Sequence, residues 1–169
     1  QLGRAQLRRQ FGRGRRMRRT PGHQGQGGKY LIVPPDYTGE LPKDKRVLVT
    51  SHDAFAYFGR AYDFQVVAIQ GISTATEAGL GDIVAMIDFI KEERVPAIFV
   101  ESSVPHATIE RVSRDTGARV GGELFSDALG AKGDLRTGSD GDTYDVGTWH
   151  GMFRHNVETI VAGLTGSNS

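Results

Sequence analysis

The stretch from Val47 to Tyr62 limits what this chain can fold into more than any other. Val47, Leu48 and Val49 are β-favouring and uninterrupted, as in a strand buried on both faces, whereas Phe55, Phe58 and Tyr62 follow at helical spacing. Between them Ser51 is placed to offer a helix N-cap oxygen, so the run reads as strand, tight turn and helix, with His52 on the turn. The same alternation recurs downstream. Residues 65–70 form a second apolar run, and 76–94 carry Leu80, Ile83, Val84, Ile87 and Ile90 at three- and four-residue spacing until Pro96 stops the helix. Residues 97–100 are a third strand, 107–116 a helix, and 120–125 a fourth strand weakened by Gly121 and Gly122. Residues 130–147, rich in Gly, Asp, Ser and Thr, read as loop; Phe153, Val157, Ile160, Val161 and Leu164 then give a closing helix, 149–164, one apolar face. The expected fold class is α/β: a three-layer lobe with a four-stranded parallel sheet and helices on both faces. Right-handed crossovers place the strands in the order 2-1-3-4.

Charge divides the chain. Residues 1–45 hold eleven Lys or Arg against three acids, leaving ten against seventeen from residue 46 onward. We expect a disordered arginine-rich arm over 1–26, a linker with a short strand over 27–45, and a folded body over 46–169. The arm reads either as a polyanion-binding segment or as a remnant or solvated tail. The segment 27–42, with Tyr30-Leu31-Ile32-Val33 stopped by Pro34-Pro35, weakly resembles one found in uncharacterised, mostly exported bacterial proteins (the DUF1254 family). With no cysteine, disulfides and thiolate metal sites are excluded. No run approaches the ~18 apolar residues of a membrane span, and no apolar segment follows the arginines, so no signal peptide is expected in the chain as given.

Three of the four strands end in a residue able to bind metal or move a proton: His52 after the first, Glu101 after the third and Asp127 after the fourth. In a parallel sheet those carboxyl ends share one edge. An imidazole and a carboxylate converging there suit zinc or manganese; each carboxylate equally suits a helix cap. A metal- or cofactor-dependent enzyme on a doubly wound sheet is the alternative, against which counts the missing glycine-rich phosphate loop after the first strand. A second alternative is an arginine-armed nucleic-acid binder.

Five blocks carry a resemblance to a known family: residues 47–62; 69–74, Ile-Gln-Gly-Ile-Ser-Thr; 95–104, from Val95 through Glu101-Ser102-Ser103; 122–129, with Phe125-Ser126-Asp127-Ala128; and 151–160, with Arg154-His155-Asn156-Val157. In collinear order they closely resemble the C-terminal lobe of the zinc- and manganese-binding solute receptors of metal ABC transporters. The resemblance implies a two-lobed extracytoplasmic receptor, not an enzyme, periplasmic or on the cell surface. It delivers its ion to a permease and needs no specific nucleic acid. Carried over by position, this lobe's metal ligands are His52 and Asp127; Glu101 is read, from its place at the same edge, as a group that holds hydrogen bonds around them rather than as a ligand. His23, His106, His150 and His155 are read as structural. The family's N-terminal lobe has no counterpart in residues 1–45, where Pro34, Pro35, Gly39 and Pro42 forbid its long helix, so the chain reads as a truncated or chimeric half-receptor. Water or a second chain would complete the site.

Overall fold

The computed structural model describes residues 41–70, 80–103 and 106–166. The expectations for residues 1–40, and for the start of the helix expected over 76–94, lie outside the described residues. The elements run β1 (Val47–His52), α1 (Ala56–Tyr62), β2 (Gln65–Gln70), α2 (Leu80–Glu93), β3 (Ala97–Glu101), α3 (Ala107–Thr116), β4 (Arg119–Leu124), β5 (Leu135–Thr137), β6 (Thr143–Asp145) and α4 (Trp149–Thr165).

β1 pairs in parallel with β2, from Val47↔Gln65 to His52↔Gln70, and β3 with β4, from Ala97↔Arg119 to Glu101↔Leu124. These are two separate two-stranded ladders rather than the single four-stranded ladder expected, although β1 runs in contact with β3. Alternation along both inner strands fills two cores. Val49, Ile98 and Val100 face Met86, Phe89, Ile90, Ile109 and Val112 of α2 and α3. Leu48, Ala97 and Phe99 face Phe58 of α1 and Val157, Ile160 and Leu164 of α4. Two cores sharing the same strands, each closed by a different helix pair, make three layers with helices on both faces.

Three local expectations change. Ser51 caps nothing: the ladder carries β1 on to His52, and α1 starts at Ala56 after Phe55 with no side-chain cap. His52 is therefore the last residue of a strand, and it is buried, not displayed on a turn. In α2 the apolar face is rotated, with Met86 and Phe89 inside while Val84 is 57% exposed. Residues 130–147 are not all loop; β5 and β6 form an antiparallel hairpin from Leu135↔Asp145 to Thr137↔Thr143. Three-residue strands, β5 exposed throughout and β6 at most half-buried, are too short to show a period in the sequence.

The glycines of β4 serve packing. The β3–β4 register slips by one residue between Ile98 and Phe99, a bulge that leaves Gly121 over the Phe99 ring. Gly122 has φ +142°, and a Cβ there would stand 2.5 Å from Thr159 Cγ2 of α4. Any larger residue at this pair would push α4 off the sheet.

Candidate metal centre

β1 and β3 end side by side, and their last residues are locked together. The backbone N–H of His52 donates to Glu101 Oε1 (2.9 Å), and His52 Nδ1 stands 2.5 Å from Oε2, off the line of a regular hydrogen bond. Glu101 is 0% exposed and His52 3%. What holds a carboxylate and an imidazole at that depth is the backbone hydrogen bond to Oε1 and the close electrostatic approach of Nδ1 to Oε2. Burial pushes the Glu101 carboxyl above its usual range, and the nearby Asp127 charge pushes the same way. The His52 backbone bond, the His52 ring and the Ser126 hydroxyl offset part of that shift.

The other ring nitrogen, His52 Nε2, lies 3.4 Å from Asp127 Oδ2. Asp127 follows β4 by three residues, and its side chain is 57% exposed, so the pair is closed behind by Glu101 and open to solvent in front. No helix begins at Asp127, and Glu101 spends its oxygens on His52, which removes the helix-cap reading for both. The Asp127 segment is held at several points. Ser102 N–H donates to Leu124 O (3.0 Å), and the Ser103 and Ser126 hydroxyls share a 3.0 Å hydrogen bond. From α4, Asn156 Oδ1 accepts from Phe125 N–H (2.9 Å) while its Nδ2 donates to Phe125 O (2.7 Å).

The structure thus brings His52, Glu101 and Asp127 to one sheet edge. Two ligands each ~2.0–2.1 Å from one tetrahedral ion stand ~3.3 Å apart, so the His52–Asp127 separation is that of two donors sharing an ion. Among the described residues no three His, Asp or Glu side chains converge as a complete metal cage. The remaining described histidines are engaged elsewhere: His155 Nε2 with Glu123 O (3.0 Å), His106 with Glu123, and His150 edge-on to Trp149. Asn156 and Ser126 went unsingled in the sequence. Asn156 left one signal, a polar residue in the apolar stripe Phe153, Val157, Ile160 of α4, where it is 4% exposed.

The family described as zinc-uptake complex component A, periplasmic, matches residues 36–163. The chain belongs to this family. Zinc-uptake component A proteins are transport receptors, not enzymes. Zinc-binding protein TroA of Treponema pallidum is 47% identical over 129 residues, covering 73% of this chain and 39% of TroA. Manganese-binding lipoprotein MntA of Bacillus subtilis is 43% identical, with 39% of it covered. The solved periplasmic zinc-binding TroA superposes with a TM-score of 0.68 at 44% identity, over 77% of this chain and 45% of that one. The chain therefore spans about two fifths of the length of the relatives it matches, and these comparisons carry its α/β lobe fold. The family match begins at residue 36, and Leu41, ahead of the expected body, is buried beside α1 and α4.

Proposed function

We propose that this chain binds a divalent transition-metal ion, zinc or manganese, through His52 Nε2 and an Asp127 carboxylate oxygen, and that it acts as the C-terminal lobe of an extracytoplasmic receptor serving an ABC transporter permease. The observation carrying this reading is the 3.4 Å approach of Nε2 to Oδ2 on an open face. Imidazole nitrogen with carboxylate oxygen suits either metal, and the pair does not choose between them. Two donors leave half of a tetrahedral shell to water or to ligands from a second lobe or chain. Residues 46–169 are assigned as the binding body. Its strands are read as one sheet in the order 2-1-3-4, a reading supported by the β1–β3 contact and by the His52–Glu101 link between those strands. Relatives named as periplasmic proteins or lipoproteins support a place outside the cytoplasm.

The test is calorimetric titration of the full chain with zinc and with manganese. Saturable binding by the parent, lost in His52→Ala and in Asp127→Ala, supports the site. Equal binding by parent and His52→Ala overturns it.

A further inference from the structure

We infer that Asn156, on α4, is a positioning residue for metal capture: by gripping the backbone of Phe125 it sets where Asp127 stands relative to His52. The inference rests on the metal-site reading above and adds to it a residue outside the ligand pair. Both polar atoms of the Asn156 amide are committed to one residue. Oδ1 takes the Phe125 N–H at 2.9 Å and Nδ2 gives to the Phe125 carbonyl at 2.7 Å, with Met152 Sδ a further acceptor 3.4 Å from Nδ2. The orientation of the amide is not arbitrary, because the donor and acceptor of Phe125 can be met only one way round.

The grip sits where the sheet ends. β4 finishes at Leu124, whose carbonyl is held from the β3 side by Ser102 N–H, and Phe125 is the first residue beyond the ladder. There the Asn156 side chain takes the place of a neighbouring strand, using N–H and C=O of one residue as an antiparallel partner would. Asp127 is two residues on, more than half exposed, and the only described contact of its carboxylate with a ligating group is the long one to His52. A side chain so exposed gains little order from its own packing, so its position follows from the backbone before it. A loose Phe125 lets the carboxylate swing away from the ring nitrogen, and the ion then meets one ligand instead of two. Outer groups that orient a metal ligand typically change affinity ~10–100-fold when removed.

The alternative is that Asn156 merely stabilises α4 against β4, and a matched control separates the two. Val157, next to it and 1% exposed, contributes only to the core, so Val157→Ala lowers stability without touching the site. The experiment titrates the full chain with zinc alone, for the parent, Asn156→Ala, Asn156→Asp and Val157→Ala, below the melting temperature of each. Amide hydrogen exchange at Phe125 is followed in parallel. Asn156→Ala is expected to lose about tenfold or more in zinc affinity and to lose protection at the Phe125 amide, while Val157→Ala keeps the parent affinity despite its lower melting temperature. Asn156→Asp keeps the acceptor for Phe125 N–H but turns a carboxylate oxygen on the Phe125 carbonyl, so it too should bind less tightly; it decides the matter if the alanine variant does not fold. Zinc affinities of the Asn156 variants equal to that of Val157→Ala, or unchanged Phe125 exchange, overturn the inference. His52→Ala distinguishes the two levels: if it binds like the parent, the metal site itself is wrong, whereas if it fails to bind while Asn156→Ala binds normally, only the positioning role falls.

Discussion

Glu101 holds His52 at two points, taking its backbone N–H on Oε1 at 2.9 Å and facing its Nδ1 with Oε2 at 2.5 Å. The carboxylate 2.5 Å away favours a proton on Nδ1 electrostatically, which leaves the lone pair on Nε2, the nitrogen turned to Asp127. That charge biases the ring toward the tautomer that can bind a cation. Glu101→Gln keeps the size and one acceptor but removes the charge that favours this tautomer. We expect zinc affinity to fall about tenfold with the fold intact, measured by competition with a zinc chelator.

Glu101 also makes stability depend on pH in a direction opposite to that of a salt-bridged carboxylate. Its folded pKa is raised above the usual 4.5, chiefly by burial, so the folded protein holds this proton more tightly than the unfolded chain does. That contribution is complete below the ordinary carboxylate range and is lost as pH rises through the raised folded value. Urea melts of metal-free protein at a series of pH values are expected to show the parent losing stability relative to Glu101→Gln as pH climbs from 4.5, and then a constant gap. A gap that widens in the parent's favour would contradict the assignment.

The strand-and-helix alternation was legible because the middles of parallel strands covered on both faces are apolar, so that short β-favouring runs such as 97–100 stand out between the longer helical patterns. Convergence of His52, Glu101 and Asp127 on one edge followed from the same alternation. What periodicity could not convey was depth. The sequence does not say that the β1 ladder continues through Ser51 to His52, since Thr50-Ser51-His52 has the composition of a turn; the register with β2 decides it. The polar break that Asn156 makes in the apolar stripe of α4 could mark the residue but not its partner, because that depends on α4 lying against the exit of β4.

Close approach of α4 to the sheet is itself testable. A Cβ at Gly163 would stand 2.6 Å from the Phe99 ring, and one at Gly121 2.7 Å from it, with Phe99 fully buried between them. Gly163→Ala should cost about 1–3 kcal/mol through overpacking. Phe99→Ala should cost about 3–5 kcal/mol through the cavity it leaves. Partial recovery of stability when Gly163→Ala is added to Phe99→Ala, in a double-mutant cycle, would show that the two residues compete for one volume.

The β5–β6 hairpin is tied to α4 by charge. Arg154 bridges Asp140 and Glu158 and lies 4.8 Å over the Tyr144 ring, and Tyr144 Oη donates to Glu158 at 3.4 Å. Burial, with the Glu158 charge next, pushes the Tyr144 phenol up to about 12. Ultraviolet titration should find a tyrosine ionising near 12 in the parent. Glu158→Gln removes a charge that opposes phenolate formation, so that step should move to lower pH.

The two proposed ligands differ most in what their loss does to the fold. Read from the sequence, both sit on turns, and either alanine variant should leave stability untouched; the structure keeps that expectation for Asp127 alone. Asp127 is 57% exposed, its only described polar contact a long one to His52, and Asp127→Ala should change stability by about 0.5 kcal/mol or less. His52 is 3% exposed, and truncating it deprives the fully buried Glu101 of the ring beside Oε2 while opening a void at the end of β1. An uncompensated buried acid together with a cavity should cost about 2–4 kcal/mol, less at low pH where Glu101 is neutral. Zinc binding should vanish in both variants. Chemical denaturation beside calorimetric titration therefore separates them: equal loss of binding with unequal loss of stability is the expected pattern. A His52→Ala protein as stable as Asp127→Ala would mean that the imidazole is not seated on Glu101 in solution.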